Sequence, residues 1–442
     1  MKVHLANATY GVLDYAAYPV GMLLVAPVVL RHLGIAEFGI WTVATAAVST
    51  GGIVASGFGD ANIQHVARLR GSGEKNALSR AVRSMMGINL ALGIVFALIG
   101  WSLSQYAARH VVSGFSQQRA CLLSLRMASI LMLVRALESV SISTLRAFER
   151  YGAAVRISIS VRLLTLAAAA ALACMGRGTA SIMAATLILV VLGTAAQLLR
   201  LRQFLGYTSL WPAFDRDATR ALFGFGVFTW IQAVAGVIFS QVDRLVLGVS
   251  LGAVTVASYA LCVQLSQPVF GLTAAALHFL FPYLSGRVGT LSAEDLKRTL
   301  QKAFVCNLLL VSLGTVLLLV FGDSILHVWA GGAIAQAAAP IFPTIVAGSA
   351  LLGLGVTGTY AMLALGRVRI VAGLSLASGA AMLLLMSWLL YRNGVEGLAM
   401  ARLCYGSFSL LLYLPLLRRL HAGINIAQPN SALCQLQEGP GV

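Results

Sequence analysis

Apolar stretches of about twenty residues alternate with short polar connections along the chain, and that is the length a helix needs to cross a bilayer. About twelve stretches qualify. They run 10–30, 38–58, 82–106, 121–145, 153–175 and 181–199, then 222–246, 256–284, 304–321, 339–365, 370–391 and 397–417. The period is helical and no alternating strand pattern competes, because lipid forces each backbone polar group to bond within its own segment. The expected fold is an all-α integral membrane protein. Its domains divide as an N-terminal half of six spans over 1–200, a polar cytoplasmic linker over 201–220, a C-terminal half of six spans over 221–421, and a loose tail over 422–442.

An internal repeat underlies that division. Leu33-Gly34-Ile35-Ala36-Glu37-Phe38-Gly39-Ile40-Trp41 aligns with Leu251-Gly252-Ala253-Val254-Thr255-Val256-Ala257-Ser258-Tyr259, an offset of 218 residues from Gly34 to Gly252. Without a gap, the same offset pairs Gly71 with Gly289. An even number of spans per half makes this a parallel repeat about an axis along the membrane normal.

Composition agrees. Of the 442 residues, 59% are hydrophobic and 10% charged, and mean hydropathy is +0.87. The net charge of +17 is explained by topology. Arg68, Arg70, Lys75, Arg80 and Arg83, then Arg146, Arg150 and Arg156, then Arg200, Arg202, Arg216 and Arg220 all fall in even-numbered connections. Arg287, Lys297, Arg298 and Lys302 continue the series, followed by Arg367 and Arg369, with Arg418 and Arg419 after the last span. By the positive-inside rule both termini are cytoplasmic. No basic stripe interleaved with aromatics occurs, so no nucleic acid is expected as a partner. The first apolar stretch is too long for a signal-peptide core and reads as a retained span. Six scattered cysteines form no metal or disulfide pattern, and neither a cofactor nor a metal is expected.

Charges inside the apolar stretches carry the functional signal, since a cation at the bilayer centre costs about 2.5–3.5 kcal/mol on insertion scales. Arg126 and Arg135 lie in the fourth stretch, nine residues and about 900° apart at 100° per residue, which puts them on opposite helix faces. Glu138 is one i+3 step from Arg135 and can pair with it. Arg162 falls mid-span in the fifth stretch, read either as a cavity-lining cation or as half of an ion pair with Glu138 or Asp60. Arg126 reads as a snorkelling or outer-vestibule residue. The pair Asp243-Arg244 sits near the outer end of the seventh stretch. These six, Arg126, Arg135, Glu138, Arg162, Asp243 and Arg244, are the candidate substrate-binding residues. Asp14 and Asp60 are candidates for ion coupling. The deep charges do not repeat: at the 218-residue offset Arg135 meets Gly353 and Arg162 meets Ala380. Pro19, Pro27 and Pro268 are expected to kink their helices.

Other chemistry is weak. Gly353-Leu354-Gly355-Val356-Thr357-Gly358 satisfies GxGxxG but follows no strand, and reads as close helix packing through small residues. Outer connections hold few acids, chiefly Glu37, Asp243, Asp323 and Glu396, so neither a polymerase nor a ligase active site is assembled and the chain is not expected to be an enzyme.

Leu33-Gly34 followed by Phe38-Gly39-Ile40-Trp41, a Gly-rich second span ending Gly57-Phe58-Gly59-Asp60-Ala61, and Gln241-Val242-Asp243-Arg244-Leu245-Val246-Leu247-Gly248 before Leu251-Gly252 and Tyr259-Ala260 together carry a resemblance. The chain resembles the polysaccharide-exporter, O-antigen-type flippase branch of the multidrug/oligosaccharidyl-lipid/polysaccharide (MOP) superfamily. It departs from that pattern where the usual acid before the second-span glycine gives way to Gly57 or Ser56, with Asp60 displaced downstream. The resemblance implies two pseudo-symmetric six-helix bundles in a MATE-like V in the bacterial inner membrane. It also implies a flippase that carries an undecaprenyl-diphosphate-linked oligosaccharide to the outer leaflet, with the bilayer and other glycan-assembly membrane proteins as partners. The alternatives are a multidrug cation antiporter of the same fold, which would want an acidic cavity, and a polytopic glycan polymerase or ligase, which would want a long outer loop with catalytic acids.

Overall fold

The computed structural model describes residues 2–56, 58–72, 75–112, 114–148, 151–206, 209–277, 280, 284, 293–365 and 367–421. The tail 422–442 and the side chains of Asp14 and Asp60 lie outside the described residues. Among those residues, the regular elements are all helical. In order they are α1 (Lys2–Ser56), α2 (Gly59–Ser72), α3 (Lys75–Val111), α4 (Phe115–Ala147), α5 (Tyr151–Cys174), α6 (Thr179–Phe204) and α7 (Arg216–Leu277). They continue with α8 (Ala293–Ala330), α9 (Gly332–Ala338), α10 (Phe342–Ala364), α11 (Val368–Ser409), a 3-10 turn (Leu410–Leu412) and α12 (Tyr413–His421).

Nine of the described helices are long and apolar enough to cross a membrane. Three of the long helices, α1, α7 and α11, are each interrupted by a non-helical glycine. A helix of 55 residues would be about 80 Å long at 1.5 Å per residue, far beyond a hydrocarbon core about 30 Å thick. The break resolves this. Gly34 sits at φ 80°, ψ 171° and Gly252 at φ 82°, ψ 174°, a region essentially reserved for glycine. The breaks therefore fall on the repeated Leu-Gly motif and on Gly394, whereas Pro19, Pro27 and Pro268 lie inside continuous helix. The outright breaks fall on glycines at positive φ.

The chain divides into two compact units, residues 1–261 and 262–442. In the first, α4 packs against α1, α3 and α6. Buried asparagines fasten these helices: Asn62 Nδ2 donates to Ser143 Oγ (2.8 Å) and Thr144 Oγ1 (3.0 Å), and Asn89 Nδ2 to the Ala136 carbonyl (2.8 Å). Glu37 caps α6, accepting the Thr179 amide at 2.7 Å while its own carbonyl takes the Thr179 hydroxyl at 2.8 Å. A carboxylate there complements the positive helix end. The linker docks on α3: Arg83 Nε donates to the Trp211 carbonyl at 3.0 Å, the Ala213 amide returns to the Arg83 carbonyl at 3.2 Å, and Arg80 lies 3.8 Å from Asp215.

In the second unit, α10 packs against α11 and α8. Its Gly353, Gly355 and Gly358 lie against Val311, Ser409 and Tyr413, so the GxGxxG run is a packing surface as expected. Asn307 Nδ2 approaches the carbonyls of Gly353 (3.1 Å) and Leu354 (3.2 Å) and Thr357 Oγ1 (2.9 Å). Asn307 and Leu354 stand 218 residues after Asn89 and Ala136, so the same hydrogen bond recurs at the offset of the Leu-Gly motif.

Gly39 tests this packing. A Cβ there would overlap the Ala253 backbone, which no side-chain rotation relieves. Gly39→Val should remove most folded protein from the membrane fraction, read by fluorescence size-exclusion chromatography. Gly34→Ala meets nothing within 4 Å but carries the wrong φ, and should cost about 1–3 kcal/mol. Gly373→Ala, equally open and helical, should be neutral or stabilising by up to about 1 kcal/mol.

Candidate functional site

Arg135 is the centre of the site. It projects from α4 beside α1, where Gly52 leaves room for it: a Cβ at Gly52 would lie 3.4 Å from the Arg135 Cβ. Arg135 Nη1 donates to Glu138 Oε2 at 2.5 Å, the i+3 pairing that the spacing predicts. The other carboxylate oxygen, Glu138 Oε1, accepts from Gln197 Nε2 of α6 at 3.2 Å. The exposures of the two partners differ: the Glu138 side chain is 5% exposed and that of Arg135 26%. The acid is sealed inside the bundle while the guanidinium stays reachable. Its other N–H donors meet no acceptor among the described residues, and a planar fork of this kind suits the oxygens of a phosphate or carboxylate.

The remaining candidates separate. Arg126 lies on another face of α4, its guanidinium 4.9 Å from the ring centroid of Trp101, which is itself 44% exposed. A cation over an indole is favourable by about 0.5–1 kcal/mol at an exposed site. Arg126 itself is half-buried, and its Nε is buried without a hydrogen-bond partner among the described residues. Arg162 is half-buried on α5, beside the buried Val161 and the exposed Leu163. Asp243 is buried and accepts two hydrogen bonds, from Tyr259 Oη at 2.6 Å and from the Arg244 amide at 2.8 Å. Residues 243 and 259 stand on opposite arms of α7, so this bond clasps the bend at Gly252. Arg244 is half-buried, with its Nε lacking a partner among the described residues.

Gln197, Trp101 and Tyr259 escaped the reading of charges. Gln197 had a signal, an amide within an otherwise apolar stretch. The pairing of Trp101 with Arg126 had none, because it joins two helices.

Family and fold define the class. The fold is similar to that of lipid II flippase MurJ in an inward closed conformation, at a TM-score of 0.76 and 12% identity over 98% of this chain and 94% of that one. It is also similar to an inward-facing multidrug resistance MATE family transporter of the MOP superfamily, at 0.74 and 13% over 93% and 98%. A MOP superfamily transporter from Pyrococcus furiosus matches at 0.55 and 12% over 93% and 96%. These are transporters and a flippase, not enzymes. No curated protein matches. Residues 28–333 match the family described as polysaccharide biosynthesis protein, and the chain belongs to that family. Its long apolar helices make it a multi-pass membrane protein.

Removing Glu138 should be costly because it strands a partly buried guanidinium and a buried amide. Glu138→Ala is expected to lose about 3–5 kcal/mol, while the paired change Arg135→Met with Glu138→Met should recover most of it. Thermal unfolding in detergent across this double-mutant cycle gives the coupling.

Proposed function

We propose that the protein flips an anionic polyprenyl-diphosphate-linked oligosaccharide from the cytoplasmic to the outer leaflet of the bacterial inner membrane by alternating access. The reachable guanidinium of Arg135, backed by a sealed Glu138–Gln197 pair, carries this reading. A diphosphate needs cations along its path, and Arg135, Arg162 and Arg244 supply them on α4, α5 and α7. Arg126 serves the outer approach. Asp243 positions its neighbour Arg244 through the α7 clasp. Family membership supports polysaccharide assembly as the setting, and the flippase of similar fold acts on a lipid, lipid II.

The proposed architecture is twelve crossings, with α1, α7 and α11 contributing two each, arranged as pseudo-symmetric six-helix bundles over 1–200 and 221–421. The linker 201–220 and both termini face the cytoplasm, where the basic connections lie. Outward movement of each negative charge gains about 2.3 kcal/mol per 100 mV of inside-negative potential. Asp14 and Asp60 are the proposed ion-coupling positions. A multidrug antiporter is disfavoured because the deep acid Glu138 is already matched by Arg135. Pocket polarity does vary within the superfamily: reverse polarity of the binding pocket suggests a different function for the Pyrococcus transporter.

Arg135→Gln combined with Arg162→Gln should abolish transport with insertion intact. A leaflet-accessibility assay of lipid-linked oligosaccharide in a deletion strain checks it. Intermediates should stay cytoplasm-facing with the variant and face outward with the wild type. Full activity of the variant would sink the proposal.

A further inference from the structure

The second unit contains a cavity of about 210 Å³ between α7, α10 and α11. Its wall includes Phe270, Tyr360 and Tyr405 together with Ser375, Ser378 and Ser409, and none of its lining residues is charged. Two further lining residues, Val356 and Thr359, stand 218 residues after Glu138 and Ser141. The cavity thus occupies the repeat position that holds the Arg135–Glu138 cluster in the first unit, with hydroxyls and aromatic rings in place of charge.

The serines are the telling feature. A serine or threonine in a helix usually returns its hydroxyl to a carbonyl three or four residues back. Thr359, Ser387, Ser407 and Ser409 do so, at 2.6–3.1 Å. Ser375 and Ser378 do not, and neither bonds any described residue. They lie one turn apart on the same face of α11, both at the cavity, and Ser378 is only 6% exposed. Both hydroxyls open on the cavity, where a ligand or a held water can meet them. Tyr360 is fixed at the wall by its hydroxyl, which donates to the Ala274 carbonyl at 3.1 Å.

We infer that this cavity binds a neutral monosaccharide unit of the glycan on the lipid carrier. This rests on the flippase reading above. The volume equals about seven waters at roughly 30 Å³ each, the size of one pyranose ring with its hydroxyls, and lies below the 300–1,000 Å³ of drug-sized pockets. The C–H face of a pyranose packs on Phe270, Tyr360 or Tyr405, and its hydroxyls exchange hydrogen bonds with Ser375 and Ser378. None of the lining residues is a cation that would hold a phosphate.

Binding to the full-length protein in lipid nanodiscs tests the inference, with undecaprenyl diphosphate and the same lipid bearing one neutral hexose as probes. The wild type should bind the hexose-bearing lipid about tenfold more tightly. S375A/S378A should erase that preference while leaving affinity for the bare lipid unchanged, and Ser378→Leu, which fills the cavity, should do the same. R135Q/R162Q should weaken both probes. Equal binding of the two lipids by the wild type, or a preference that survives S375A/S378A, overturns the sugar site. If neither lipid binds the wild type, the flippase reading fails, and methyl hexosides followed by saturation-transfer NMR decide the cavity alone. A signal lost in S375A/S378A supports it, and no signal in the wild type overturns it.

Discussion

A polar group buried in a membrane-spanning protein gains by pairing inside the protein, because hydrocarbon offers no partner. That requirement makes the described secondary structure helical, since a helix satisfies its backbone within one segment. It also decides where the chain can turn. Gly34 and Gly252 leave the helix at nearly the same φ and ψ, and only glycine takes that conformation without strain. The same rule governs the side chains: Asn62, Asn89 and Asn307 spend their amides on neighbouring helices, and Glu37 closes the open end of α6.

Within that rule the two halves of the sequence have kept a scaffold and diverged in chemistry. Asn89 bonds the Ala136 carbonyl and Asn307 bonds its counterpart at Leu354, so the helix pairing is repeated. One residue away Arg135 becomes Gly353, and Glu138 becomes Val356. A buried charge pair is costly and must be compensated locally, so it persists only where it serves something, whereas an asparagine cross-link contributes to packing in either half. The N-terminal unit therefore presents a cation and the C-terminal unit an uncharged cavity.

Much of this was legible in the chain. Hydrophobic length marked the long apolar helices, the 218-residue offset marked the matched glycines, and i+3 spacing marked Arg135 with Glu138. Helix phase separated Arg126 from Arg135, and the contact with Trp101 lies on that separate face. The roles of Gln197 and Tyr259 were not legible: each completes a carboxylate from a distant position or across a bend, and periodicity describes one helix at a time.

The sequence by itself determined the helical class, the apolar segments, the family motifs and which ionisable groups interrupt those segments. These follow from local composition and spacing, which act over a few turns. The tertiary structure decided which of those groups are spent and which remain available. Glu138 is sealed by Arg135 and Gln197, and Asp243 is engaged by Tyr259 across the Gly252 bend. Arg135 keeps a free edge, and Ser375 and Ser378 face a void. Availability depends on what packs alongside, and only the packed helices define that.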